Sequence, residues 1–421
     1  MDKLVIYGGN RLKGVVEVSG AKNSALPIMA ATLLKEGKFK IDNIPLVRDI
    51  YTMAEVLEAL GAKIQFNEHS VLIDTTGAVG HEAPYELVKK MRASYYVLGP
   101  LIARLKRARV SLPGGCAIGA RPVDLHLKGL KALSVNVSIV HGYIEASTKS
   151  LTGSEVFLEG VKGPSVGATI NTMMAATLAK GKTIIEGAAM EPEVVDVANF
   201  LKKIGAKISG HGTRRIEIKG VKKLDADIEY RIIPDRIEAG TYAVAAAITE
   251  GDVLIKGAKE SHMKAIIKKL RETGAEVDAQ GDKLRVKSRK PLKATDVRVA
   301  PFPGFPTDMQ AQFMALLCIA DGVSVVNESI FENRFMHVPE LMRMGADLTI
   351  DGQSVIIRGK NMLSGAPVMA SDLRASAALV LAGLVAAGKT EISRVYHLDR
   401  GYEKMEKKLK RLGADIWRIR E

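Results

Sequence analysis

Apolar and polar positions alternate along this chain with a period near seventy residues. One recurring segment is apolar and almost without charge: SALPIMAATLL from Ser24, SYYVLGPLIA from Ser94, VGATINTMMAATLA from Val166, AGTYAVAAAI from Ala239, MQAQFMALLCIA from Met309 and ASAALVLAGLVAAG from Ala375. Their starts lie 70, 72, 73, 70 and 66 residues apart. The pattern predicts six helices, and a helix without a polar face must be buried on all sides. A second segment keeps the same period. It is a charged amphipathic helix that ends in a Gly-Ala turn into a strand: LGAKIQF from Leu60, IGAKISG from Ile204, TGAEVDA from Thr273, MGADLTI from Met344 and LGADIWR from Leu412, with LSVNVSI from Leu133 as a degenerate copy. The turn positions 61, 134, 205, 274, 345 and 413 are 73, 71, 69, 71 and 68 residues apart. Glycine there is the expected left-handed helix stop, and the residues that follow alternate as a strand does.

Two registers agreeing over six copies predict an α/β protein of six repeats, with buried helices inside and strands and amphipathic helices packed around them. At 421 residues the chain exceeds what one core normally supports, so two domains of three repeats are expected, parting near Leu224–Asp235. Two cysteines cannot build a disulfide framework, which predicts a reducing compartment. The N-terminal MDKLVIYGGNRLKG lacks the apolar core of a secretion signal. Uncharged runs such as Ala375–Gly388 are too short to span a bilayer. The expectation is a cytoplasmic protein without membrane contact. The net charge of +14 suits an anionic ligand, either nucleic acid or small phosphorylated molecules. One tryptophan and 5% aromatic residues give few platforms for stacking bases, which disfavours nucleic acid.

Candidate chemistry concentrates in two places. PGGCAIGARPVDLH, from Pro113 to His126, sets Cys116 among glycines with Arg121 close behind. A cation beside a thiol favours the thiolate; the plainer alternative is a tight turn holding a small apolar residue. The other place is the start of each apolar helix, where Lys22-Asn23, Arg92, Gly163-Pro164-Ser165, Asp235-Arg236, Thr307-Asp308 and Asp372-Leu373-Arg374 stand. Helix N-termini present free N–H groups to anions. Ser24, Ser165 and Asp308 are explicable as helix caps, but Lys22, Arg92 and Arg374 oppose the helix dipole and call for another reason. Cys318 falls in the fifth apolar segment and is expected in the core. The eight histidines show no ligand spacing, so neither a metal nor another cofactor is expected.

The motifs SGAKNSALP, MRASYYVLGP, PGGCAIGARPVDLH, PSVGAT, PFPGFPTDMQAQ, FENRF, DLRASAALVLAG and YHLDRGYE together resemble the enolpyruvyl transferase family over essentially the whole chain. The resemblance implies a two-domain inside-out α/β barrel, with residues 20–229 as one domain and 1–19 plus 230–421 as the other. It further implies that the domains close over the substrate with the Cys116 loop as a lid. The branch it matches transfers enolpyruvate from phosphoenolpyruvate to the 3′-hydroxyl of UDP-N-acetylglucosamine, releasing phosphate through a tetrahedral ketal, as the first committed step towards peptidoglycan.

On that resemblance Asp308 is the base for the sugar hydroxyl. Cys116 is the acid for the methylene carbon, able to form a covalent phospholactoyl adduct and open to alkylation by fosfomycin. Lys22, Arg121 and Arg400 hold the phosphate and carboxylate, with Asn23, Arg334 and Arg374 in support. The nucleotide sugar falls to Asn23, Arg92, Arg121, Pro122, Val123, Asp124, Leu125, Ser165, Val166, Gly167, Asp308 and Ile330. Lys162 stands one position upstream of where some members carry a lysine. The expected species is a monomer. Two alternatives remain: transfer to shikimate 3-phosphate, whose enzymes lack this cysteine loop, and a basic repeat protein that binds nucleic acid without chemistry.

Overall fold

The computed structural model describes residues 2–112, 123–289 and 291–420. These fall into two compact units. The first holds residues 20–112 and 123–233, the second residues 2–19 with 234–289 and 291–420.

In the first unit the buried helices are Lys22–Ala31, Leu98–Leu105 and Val166–Ala176; in the second they are Arg236–Ile248, Gln310–Leu317 and Leu373–Gly383. Lys22–Ala31 is buried at every position except Asn23, as a segment without a polar face requires. The outer helices bury one stripe only. Glu260–Glu272 buries Met263, Ile266, Ile267 and Leu270, the spacing of a single helical face. Each outer helix is stopped by a left-handed residue: Gly61, Gly205, Gly274, Gly345 and Gly413 have φ of 96°, 98°, 88°, 86° and 102°. Ser134 has φ of 65° at the same place in the degenerate copy. The turn geometry is therefore kept where glycine is not, at the strain cost of a Cβ in that region.

The described residues form six four-stranded sheets, three in each unit, and one two-stranded ribbon. In the first unit, Lys38–Asp42 pairs antiparallel with Ser70–Asp74, which pairs antiparallel with Lys63–Asn67. Its other edge runs parallel to Ile228–Arg231, so the end of the unit closes onto its beginning. The remaining five sheets repeat that scheme of one parallel and two antiparallel pairings. The N-terminal strands belong to the second unit: Lys3–Tyr7 pairs with Lys389–Ser393 and Asp415–Ile419, and Lys13–Glu17 with Asp252–Lys256. The strands are buried on one face; Val71 and Ile73 are enclosed while Leu72 between them is exposed, the alternation of a half-covered sheet.

Two apolar segments open on a 3-10 turn. The second opens as a 3-10 turn, Arg92–Val97, before Leu98–Leu105. There the Gly99 N–H donates to the Asn171 side chain at 3.0 Å. In the fifth, Thr307–Met309 is a 3-10 turn and Cys318 caps the C-terminus of the helix rather than lying inside it, although it is fully buried. The connection at 112–123, between Arg107–Ser111 and Asp124–Ala132, is far longer than Gly257–Lys259 between the matching elements Asp252–Lys256 and Glu260–Glu272. Cys116, Arg121 and Pro122 in it lie outside the described residues.

Candidate active site

In the first unit, Lys22 is the first residue of its helix rather than a residue before it, and it is buried. Its ammonium meets the carboxylate of Asp49, on the outer helix Arg48–Ala59, at 3.0 Å. That partner offsets the unfavourable position of a cation at a helix N-terminus. Asn23 is the exposed member of the same turn. Ser24 does not cap the helix. It lies inside it and donates its hydroxyl to the buried Asp196, which also accepts from the Tyr230 hydroxyl at 2.6 Å and the Ile233 N–H at 3.3 Å. Burial raises the Asp196 carboxyl above the usual range, against the lowering effect of those hydrogen bonds.

A second group of first-unit residues gathers at the start of Val166–Ala176. Ser165 is a true N-cap, accepting from the Ala168 N–H at 3.2 Å. Behind it His126 lies against Gly167, where a Cβ would stand 2.8 Å and 2.9 Å from the ring atoms Cε1 and Nε2. Asn171 organises the imidazole. Its amide oxygen accepts from Gly99 N–H at 3.0 Å, and its nitrogen donates to the Tyr95 carbonyl at 3.1 Å and to His126 Nδ1 at 3.0 Å. With Nδ1 an acceptor, the proton of the neutral ring sits on Nε2. Burial, reinforced by the nearby Arg92 charge, pulls the His126 pKa down to about 4. Arg92 also acts on the Tyr95 phenol, which burial raises. Val123, Leu125 and Val166 pack on the first unit's core, while Asp124 and Lys162 face solvent. The structure thus brings Arg92, Val123, Leu125, Ser165, Val166 and Gly167 onto neighbouring elements, with His126 and Asn171 between them.

In the second unit, Asp308 is not a helix cap either. Its carboxylate accepts from Arg334 Nη2 through Oδ1 and from Arg374 Nη2 through Oδ2, both at 2.8 Å. The two guanidinium side chains are only 3% and 5% exposed, whereas that of Asp308 is 28% exposed. Two fixed, buried cations thus flank one carboxylate that is partly open. Charge-assisted bonds of this kind are short and strong. The caps of the two neighbouring buried helices are Asp235 and Asp372. Burial would lower the Arg374 pKa, but Asp308, Tyr402 and Asp235 outweigh it and raise it. Arg374 Nη1 also donates to the Tyr402 hydroxyl at 3.2 Å. Ile330 packs on the second unit's core and bonds Glu328 through its N–H at 2.8 Å. Arg400 ends the turn Val395–Arg400.

The sequence pattern did not point to Asp49, Asn171 or Thr241; His126, Gln312 and Tyr402 stood inside quoted motifs but carried no role. Among the described residues, no group of three or more His, Cys, Asp or Glu is placed to hold a metal ion. No helix among them is long and apolar enough to cross a membrane.

Comparison with known proteins gives these clusters a context. The family model described as EPSP synthase (3-phosphoshikimate 1-carboxyvinyltransferase) matches residues 6–409. The UDP-N-acetylglucosamine 1-carboxyvinyltransferase of Geotalea uraniireducens is 56% identical over 421 residues, covering 100% of both chains. That of Myxococcus xanthus is 54% identical and covers 99% of both. Among solved structures, the enolpyruvyl transferase NikO from Streptomyces tendae superposes with a TM-score of 0.90 at 26% identity over 99% of each chain. EPSP synthase from Acinetobacter baumannii, at 18% identity and a TM-score of 0.76 over 100% of each, shares the fold. On this full-length identity the chain belongs to the UDP-N-acetylglucosamine 1-carboxyvinyltransferase family, one branch of the enolpyruvyl transferases.

Proposed function

We propose that this enzyme transfers the enolpyruvyl group of phosphoenolpyruvate to the 3′-hydroxyl of UDP-N-acetylglucosamine and releases inorganic phosphate, forming the first committed precursor of peptidoglycan. The observation that carries the reading is the Asp308 carboxylate, held from both sides by buried arginines at 2.8 Å yet open to an incoming hydroxyl. Addition requires a base at the sugar hydroxyl, and Asp308 takes that proton as the oxygen bonds C2 of phosphoenolpyruvate. A proton must reach C3 in the same step, and Cys116 supplies it. The resulting tetrahedral ketal carries both the sugar and the phosphate on C2. Loss of a C3 proton then expels phosphate and restores the double bond.

Fixed cations stabilise the charge that moves through these steps. Lys22, Arg121 and Arg400 take the phosphate and carboxylate, with Asn23, Arg334 and Arg374 in support. Arg92, Arg121 to Leu125, Ser165 to Gly167 and Ile330 take the nucleotide sugar. The free N–H groups at the start of Val166–Ala176 suit a diphosphate. The two units are read as the two domains of an inside-out barrel, three repeats in each.

Transfer to shikimate 3-phosphate is the alternative within the same fold. The identity of 56% to nucleotide-sugar enzymes weighs against it, as does the cysteine loop. A binding protein without chemistry would leave the paired arginines on Asp308 and the buried Lys22 without a purpose. Incubation with both proposed substrates is expected to give an enol ether on the 3′-oxygen, identified by mass and carbon NMR. An enol ether at another hydroxyl, or no enol ether, would overturn the reading.

A further inference from the structure

Arg374 is held by more than Asp308. Its Nη1 donates to the Tyr402 hydroxyl at 3.2 Å, and Gln312 Nε2 donates to the same oxygen at 3.1 Å. Both lone pairs of the phenol are then used, so its proton must go to the remaining neighbour, Thr241 Oγ1 at 2.8 Å. Thr241 in turn donates to the Ile237 carbonyl at 2.8 Å, inside the helix Arg236–Ile248. Gln312 Nε2 lies 3.2 Å from Thr241 Oγ1 as well, so the amide bridges both hydroxyls. Gln312 ties the other end, because Nε2 also donates to the Asp308 main-chain carbonyl at 2.8 Å. That contact fixes the amide: a carbonyl oxygen cannot donate, so the nitrogen must face it. Tyr402, Thr241 and Gln312 are all enclosed. Burial raises the Tyr402 phenol, which keeps it neutral and able to donate.

We infer that Tyr402, with Thr241 and Gln312 behind it, is a positioning residue for the transfer reaction: it fixes Arg374, and through it the Asp308 carboxylate, at the angle from which the hydroxyl proton is taken. This rests on the proposed role of Asp308 as the base. The net joins four parts of the second unit: the helices Arg236–Ile248, Gln310–Leu317 and Leu373–Gly383, and the segment after the turn Val395–Arg400. Arg374 therefore has a single place in which its two nitrogens meet the Tyr402 oxygen and the Asp308 carboxylate together. Without the phenol oxygen, Arg374 and Gln312 each lose an acceptor in a site closed to solvent, and the guanidinium must turn to find another. A shift of about 1 Å at a catalytic group is enough to cost on the order of a hundredfold in rate.

The test compares Tyr402→Phe with the wild-type enzyme, measuring kcat and KM for phosphoenolpyruvate and the nucleotide sugar, each in the Arg374 and the Arg374→Lys background. The expected result is a fall in kcat of at least about tenfold, with both KM values within about threefold. In the Arg374→Lys background, Tyr402→Phe should cost less than about twofold more, because it acts through a group already altered. Thr241→Val, which keeps volume and removes the acceptor of the phenol proton, should lower kcat in the same background-dependent way and serves if Tyr402→Phe does not fold. A folded Tyr402→Phe with kcat within about twofold of wild type would overturn the inference, as would losses that multiply independently of residue 374. If the wild-type enzyme does not turn over this substrate pair, the proposed function fails instead, and the two failures are told apart by that control.

Discussion

Asp49 provides a demanding test of how Lys22 is held. Its carboxylate lies 3.0 Å from the Lys22 ammonium, with the Lys22 and Asp49 side chains 9% and 5% exposed. At that distance and an effective dielectric near 20, the attraction is about 5 kcal/mol. Much of it offsets the cost of taking both charges out of water, so the pair contributes little net stability. Removing one partner is a different matter, because the other charge stays buried; such losses run at about 3–5 kcal/mol. Asp49→Asn keeps the shape and one hydrogen bond, so the lower end, about 3 kcal/mol, is expected. For a folding unit of roughly 200 residues this lowers the melting temperature by about 6–12 °C. Activity should fall at least about tenfold as Lys22 leaves its place. The double variant Lys22→Met/Asp49→Leu separates the two effects. It should regain most of the stability, since an apolar pair of similar volume is tolerated where one buried charge is not, while activity stays lost. Calorimetry and steady-state rates on the three proteins decide the matter. A melting temperature for Asp49→Asn within about 2 °C of wild type, or a double variant less stable than the single one, would show that Asp49 does not hold Lys22 in this way.

Three further outcomes are expected. Gly167→Ala would push a Cβ to within 2.8 Å of the His126 ring, so KM for the nucleotide sugar should rise at least about tenfold with kcat less affected; unchanged KM would remove His126 and Gly167 from that site. His337 is 1% exposed, and burial, eased by Asp372 and reinforced by Arg334, pulls its pKa from 6.5 to about 4. The unfolded chain therefore gains this proton first as pH falls, and stability drops between about pH 6.5 and 4. Unfolding free energies from urea titrations should fall less steeply over that window in His337→Gln, by up to about 1.4 kcal/mol per pH unit. Cys318 is fully enclosed and burial pushes its thiol up to about 12, so intact mass after iodoacetamide should place label on Cys116 in the native protein and on Cys318 only after unfolding.

The buried helices and the stops of the outer helices were legible because they rest on local rules. Buried helices need apolar residues all round, and outer helices need a left-handed stop, which even Ser134 supplies at φ of 65°. What the sequence could not show is pairing across distance. Lys13–Glu17 runs beside Asp252–Lys256, and Ile228–Arg231 beside Lys38–Asp42, with no local signal in either partner. The site divides the same way. Lys22, Arg92 and Arg374 stood out because cations at helix starts oppose the dipole, but Asp49 looks like an ordinary first-turn acid on an amphipathic helix. Ser24 and Asp308 resembled helix caps, since composition alone cannot tell a cap from a side chain turned towards another element. Thr241 and Tyr402 are 161 residues apart in sequence and meet only in the folded core.

The acceptor separates the two reactions that this fold supports. Phosphate release is measured with phosphoenolpyruvate and either UDP-N-acetylglucosamine or shikimate 3-phosphate, under the same conditions and with the same enzyme. Sustained release is expected with the nucleotide sugar and none above background with shikimate 3-phosphate. Release with shikimate 3-phosphate and not with UDP-N-acetylglucosamine would contradict it.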